Sequence, residues 1–117
     1  MPSFKQSLSF AANGIKVFWE EKHMKIHSLI ALAVIAAGLF FNITYTEWLI
    51  CIILIALVLS LEIINTSIEN LVNIVSPDYN ALAGKVKDLA AGAVLVSAIA
   101  AFICGILIFG KYIIALF

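Results

Sequence analysis

The sequence has no arginine, and its seven lysines are balanced by seven acidic residues, so the formal net charge is zero. A neutral chain gives no general electrostatic case for a nucleic-acid partner. Only two cysteines are present, Cys51 and Cys104, and both sit inside apolar runs. That pattern argues against a disulfide framework or a thiolate metal site and fits small buried apolar residues. The known nucleotide motifs are missing: there is no GxxxxGK[ST] loop, and no glycine-rich loop paired with an HRD-type catalytic loop. No cleavable signal peptide is visible, because Lys5, Lys16, Glu20, Glu21, Lys22 and Lys25 interrupt the first 25 residues. No linker is long enough to separate domains, and there is no internal repeat, so residues 1–117 read as a single membrane-embedded domain.

What the chain does have is apolar length. Hydrophobic residues make up 64% and charged residues 12%, with a mean hydropathy of +1.14. A soluble domain this small has too much surface to hide that side-chain content, so the bilayer is the expected solvent. The first apolar run goes from Ile26 to Phe41, broken only by His27 and Ser28. Asn42 to Glu47 reads as a short polar turn. The second run goes from Trp48 to Ile64 and continues with helical periodicity to Val75, where Ser76-Pro77-Asp78 stops it. The third goes from Leu89 to Phe109, with Lys111 and Tyr112 near its far end. The fold expected is therefore all-α and integral to the membrane, with three transmembrane helices.

Lys5, Lys16, Lys22 and Lys25 precede the first span, Lys85 and Lys87 lie between the second and third, and only Lys111 lies on the other side. The positive-inside rule places the N-terminus and the 76–88 loop in the cytoplasm and the C-terminus outside. From Ser3 to Trp19, Phe4, Leu8, Ala11, Ile15 and Phe18 recur at spacings of three or four. This predicts an N-terminal amphipathic helix lying on the inner leaflet. The plain alternative is a frayed terminus.

The polar groups of the second span carry the chemistry. Glu62 lies in an otherwise apolar stretch, and Asn65, Thr66, Glu69 and Asn73 follow at helical spacing on the same face. Such a stripe must face protein or water rather than lipid. Asn65 or Thr66 alone would serve as polar glue between helices. Two glutamates with no basic partner on their own helix fit glue poorly. Read functionally, Glu62 handles a proton and Glu69, about 10 Å nearer the cytoplasm by helix rise, holds a cation. Glu20, Glu21, Asp78, Lys85, Lys87 and Asp88 gather at the same membrane face. Carboxylates with lysines are what a magnesium–nucleotide site needs, although solvated interface charge would look the same.

The stretch from Glu62 to Val96 resembles the prokaryotic diacylglycerol kinase family, which includes the undecaprenol kinases. The matching residues are Glu62, Asn65, Thr66, Ser67, Ile68, Glu69, Val72 and Asn73, then Lys87-Asp88-Leu89-Ala90-Ala91-Gly92-Ala93-Val94-Leu95. Ala11, Gly14, Glu21 and Met24-Lys25-Ile26-His27 are similar to the family's N-terminal pattern. The resemblance implies a homotrimer in the bacterial inner (cytoplasmic) membrane, with composite active sites that use ATP and Mg2+. It implies Glu62 as general base and Glu21 and Glu69 as magnesium ligands. Lys87 and Asp88 match the pair that contacts ATP, and Asp78, Tyr79 and Asn80 the loop bordering the nucleotide. Asn65 matches a polar active-site residue. Asn73 departs from the family's usual aspartate and His23 from an asparagine common among relatives.

The implied activity is phosphorylation of a membrane lipid hydroxyl. The acceptor is read at the mouth of the first span. Lys25 and His27 lie where a headgroup would enter, and undecaprenol kinases resemble this sequence there, whereas diacylglycerol kinases tend to carry an acid. Undecaprenol is therefore the first expectation and diacylglycerol the second. A small proton-coupled exporter is the competing function of another class. Such proteins usually have four spans and no need of Glu21, Glu69, Lys87 and Asp88 at one face.

Overall fold

The computed structural model describes residues 1–117, the side chain of Lys22 excepted. Four helices follow one another: α1 Phe4–Trp19, α2 Lys22–Phe41, α3 Tyr45–Val75 and α4 Ala81–Ile114. They fall into two compact units, Met1–Ala33 and Val34–Phe117.

In the first unit, α1 is opened by Ser3. Its hydroxyl accepts from the Gln6 N–H at 3.2 Å, while the Gln6 side chain accepts from the Ser3 N–H at 2.8 Å. This reciprocal box satisfies two of the donors that a helix start leaves open. The helix ends as the Glu20 and Glu21 N–H groups turn back to Val17 and Phe18 carbonyls. A helix is found where the spacing predicted one, shorter by Ser3, which is its cap.

In the second unit, Asn42 ends α2 in the left-handed region at φ 52°. Asparagine tolerates that conformation better than most residues with a side chain. The Ile43 N–H then reaches back to the Gly38 carbonyl at 3.2 Å, the long bond of a Schellman closure. Glycine is needed at 38 for packing: a Cβ there would lie 2.6 Å from the Trp48 ring. Thr44 caps α3 through a box with Glu47, at 3.2 and 3.0 Å. The polar turn is thus shorter than Asn42 to Glu47. Glu47 belongs to the first turn of α3, because the box draws it into the helix.

α4 also starts earlier than the apolar run, at Ala81 rather than Leu89. Asn80 sets that start by accepting from the Leu82 and Ala83 N–H groups at 2.9 and 3.1 Å. The segment 81–88 is polar enough to be read as loop, yet its cap and its alanines favour helix.

Helices long and apolar enough to cross a membrane are His23–Phe41, Tyr45–Val75 and Ala81–Ile114, of 19, 31 and 34 residues. At about 1.5 Å per residue, α3 and α4 exceed a hydrocarbon layer of about 30 Å by some 15–20 Å. The outward residues are apolar, including Leu39, Phe40 and Leu107, each at least 70% exposed. Water would not tolerate that surface, but lipid tails do.

Partner contacts show α3 and α4 running antiparallel. At one end, Ile43, Cys51 and Ile108 form a small core with Val34, Phe41, Trp48, Phe109 and Tyr112 around it. Glu47, only 7% exposed, closes this end. It pairs with Lys111 at 2.7 Å and accepts from the Tyr112 hydroxyl at 2.5 Å. The Tyr112 ring stacks on Phe41 at 5.6 Å between centroids. A carboxylate shielded this well must keep its partners, so Glu47→Ala, which takes the acceptor from the half-buried Tyr112 hydroxyl and the partner from the exposed Lys111, is expected to lower the melting temperature in detergent by several degrees. Glu47→Gln combined with Lys111→Met is expected to recover part of that loss. Thermal denaturation followed by circular dichroism measures both.

Candidate active site

The stripe of α3 is one continuous face of a regular helix. Asn65 donates from Nδ2 to Glu69 Oε1 at 3.1 Å, the i to i+4 contact that helix geometry favours. Its Oδ1 is buried without a hydrogen-bond partner. A buried acceptor left open costs stability, so its retention asks for a donor from outside the chain. Thr66 turns its hydroxyl onto the Glu62 backbone carbonyl at 3.0 Å, and Ser67 does the same to Ile63 at 3.1 Å. Both hydroxyls are therefore occupied on their own helix. Glu62 is half-buried and lies two turns before the exposed Glu69.

The far end of the stripe reaches α4. Lys87 donates from Nζ to Asn73 Oδ1 at 2.6 Å. Lys87 is half-buried, whereas Lys85 and Asp88 are exposed. Asp78, Tyr79 and Asn80 form the turn between the two helices and are exposed. The Asn80 side-chain oxygen is committed to capping α4, which leaves its amide donors as the groups it offers a ligand. Glu62, Asn65, Glu69, Lys87 and the 78–80 turn thus all belong to the 34–117 unit.

The remaining predicted residues belong to the 1–33 unit. Glu21 sits in the break between α1 and α2 and is exposed; its carbonyl accepts from the Met24 N–H at 3.2 Å. Lys25 is exposed and His27 half-buried, both in the first two turns of α2. Among the described residues, no three side chains of the His, Cys, Asp and Glu type come together as a ready metal cage. The donor set on offer in this unit is hard oxygen, from Glu69. That suits magnesium, which needs only one or two protein carboxylates and takes its other ligands from phosphate and water.

Two contacts escape reasoning from spacing along one helix. The Asn73–Lys87 bond and the Glu47–Lys111–Tyr112 group both cross from α3 to α4. Both pairs are centred on the turn at 76–80, which is the signal that would have found them. Once the turn is placed, an antiparallel hairpin fixes which residues face each other.

The profile of the family described as prokaryotic diacylglycerol kinase matches residues 9–109. An undecaprenol kinase of Bacillus subtilis is 38% identical over 110 residues, covering 91% of this chain and 87% of that protein. A diacylglycerol kinase of Synechocystis is 35% identical over 106 residues, covering 89% of this chain and 61% of that protein. A diacylglycerol kinase of Helicobacter pylori is 31% identical over 113 residues, covering 96% and 85%. With a family match across most of its length, the chain belongs to the prokaryotic diacylglycerol kinase family, a family of lipid kinases.

Proposed function

We propose that the chain transfers the γ-phosphate of ATP to the hydroxyl of a membrane lipid, with undecaprenol as the preferred acceptor. The observation that carries this reading is the α3 face on which Glu62, the open Asn65 oxygen and Glu69 follow one another. A base, a hydrogen-bond acceptor and a hard ligand lie in sequence from the apolar depth toward the polar end. That order matches a substrate whose hydroxyl comes from lipid and whose phosphate comes from water.

In this mechanism the Glu62 carboxylate accepts the proton of the lipid hydroxyl as its oxygen attacks the γ-phosphorus in line. The new bond is between the lipid oxygen and phosphorus. The bond that breaks joins the γ-phosphorus to the bridging oxygen, and ADP leaves with that electron pair. Asn65 lines the acceptor's path between Glu62 and Glu69, Lys87 meets the phosphates, and Asp88 and residues 78–80 border the nucleotide. Magnesium, held by Glu69 and Glu21, would supply charge neutralisation on the transferring group.

Orientation and assembly are part of the proposal. The lysine distribution supports a cytoplasmic N-terminus and 76–80 turn in a bacterial inner membrane, with the C-terminus outside. The apolar spacing and outward exposure of Phe4, Leu8 and Ile15 support α1 lying on the inner leaflet. Assembly with further copies is supported by the stripe itself, and the family resemblance points to a homotrimer. Carboxylates at membrane depth need protein or water against them, and within one chain the stripe is covered only in part.

ATP consumption that requires an added lipid alcohol is the first test, and its absence would refute the kinase mechanism. Glu62→Gln is nearly isosteric but cannot take the proton. It is expected to fold, to bind nucleotide and to lose about 10²-fold or more in kcat. Turnover at the wild-type rate in that variant would remove Glu62 from the general-base role.

Glu21→Ala and Glu69→Ala are each expected to weaken magnesium–ATP binding by on the order of tenfold, since each deletes a hard ligand from a site that has few. Excess magnesium should restore Glu21→Ala in part. Unchanged affinity in both variants, by calorimetry, would contradict the metal assignment.

The acceptor rests on His27 and Lys25. An imidazole makes a less acidic entrance than a carboxylate would. That suits a polyprenol with a single hydroxyl over a glycerol backbone with ester groups. In mixed micelles, undecaprenol is expected to give a higher kcat/KM than diacylglycerol, and His27→Glu should narrow the gap. Equal or better use of diacylglycerol by the wild type would reverse the acceptor assignment and leave the kinase chemistry intact.

A further inference from the structure

Near the turn that joins α3 to α4, the lysine read as a phosphate ligand is held by a neutral group. Lys87 Nζ donates to Asn73 Oδ1 at 2.6 Å, and the lysine is half-buried. Asn73 lies in the last turn of α3, which carries no basic residue of its own. The negative end of that helix favours a nearby cation, so Lys87 is drawn there by the dipole as well as by the amide. An ammonium has three donors, and the amide takes one. Two donors and the whole positive charge remain.

We propose that Asn73 is a positioning residue that aims the Lys87 ammonium at the nucleotide phosphates without neutralising it. This rests on the kinase reading, in which Lys87 meets those phosphates. Aspartate has almost the same shape and would hold the lysine more tightly, because it adds a full negative charge to a bond whose donor is already an ammonium. It would also compete with phosphate for the same charge. Leucine would release the lysine onto its flexible four-carbon stem, which must then be ordered each time nucleotide binds. A contact that merely ties α3 to α4 would be improved by aspartate. A contact that presents charge to a ligand would be harmed by it, so the two roles predict opposite signs.

The test uses full-length protein in lipid nanodiscs, with magnesium–ATP affinity read by calorimetry and kinetics read with saturating undecaprenol. Asn73→Asp should keep or raise the melting temperature while Kd and KM for magnesium–ATP rise roughly 3- to 10-fold, the size expected when a charged partner competes for one phosphate contact. kcat at saturating ATP and KM for the lipid should stay near wild type. Asn73→Leu should weaken nucleotide affinity by a smaller factor. In a Lys87→Met background, Asn73→Asp should no longer change Kd, since the residue acts through the lysine. Wild-type affinity in both Asn73→Asp and Asn73→Leu would overturn the proposal, as would an effect of Asn73→Asp that persists without the lysine. A wild-type protein that binds no magnesium–ATP would instead overturn the kinase reading and this proposal with it.

Discussion

A polar side chain at the depth of the lipid tails must be met by protein or by water, and α3 carries enough of them to make this the governing constraint on the molecule. Glu62 and Asn65 lie in its middle, while Glu47 in the first turn and Asn73 in the last lie toward its ends. At the 42–44 end the requirement is met within one chain, by Lys111, Tyr112 and the Thr44 backbone. At the 76–80 end it is met only in part, because the Asn65 oxygen is buried with nothing to accept from. One end of the hairpin is therefore finished as structure, and the other is left chemically incomplete. The incomplete end is the one where the family's motif lies.

The same constraint explains what could be read directly from the sequence. Three spans, the helix at 4–19 and the stripe on α3 follow from spacing, because a lipid solvent makes apolar runs and helical periodicity unusually plain. The stripe residues do share a face, and Asn65 and Glu69 do touch. Helix starts were harder. Glu47 reads as turn because it is polar, yet its carboxylate completes the box that begins α3. Residues 81–88 read as loop because they are charged, yet Asn80 caps a helix through them. In both places local capping outweighed hydropathy. Contacts between helices were the least legible. Glu47 and Lys111 stand 64 residues apart, and nothing in the composition of either segment names the other.

Charge places a further demand on the site. Within residues 34–117 the acidic groups are Glu47, Glu62, Glu69, Asp78 and Asp88, and the basic ones are Lys85, Lys87 and Lys111. Glu47 and Lys111 satisfy each other, which leaves four carboxylates and two lysines toward the 76–80 end. A nucleotide polyphosphate is itself strongly anionic, so this surface would repel it if it arrived alone. The repulsion falls when the phosphates arrive with a divalent cation that the carboxylates can ligate, and then the same acidic groups attract. Under the proposed kinase reading, an excess of carboxylate would favour the metal complex over the free nucleotide. It also makes each unneutralised lysine matter more. An aspartate at position 73 would add a fifth carboxylate to the four already toward this end and set it against Lys87. In the proposed nucleotide site, the neutral amide on Lys87 would keep the charge balance from tipping further against the phosphates, at the point where Asn73 and Lys87 join α3 to α4.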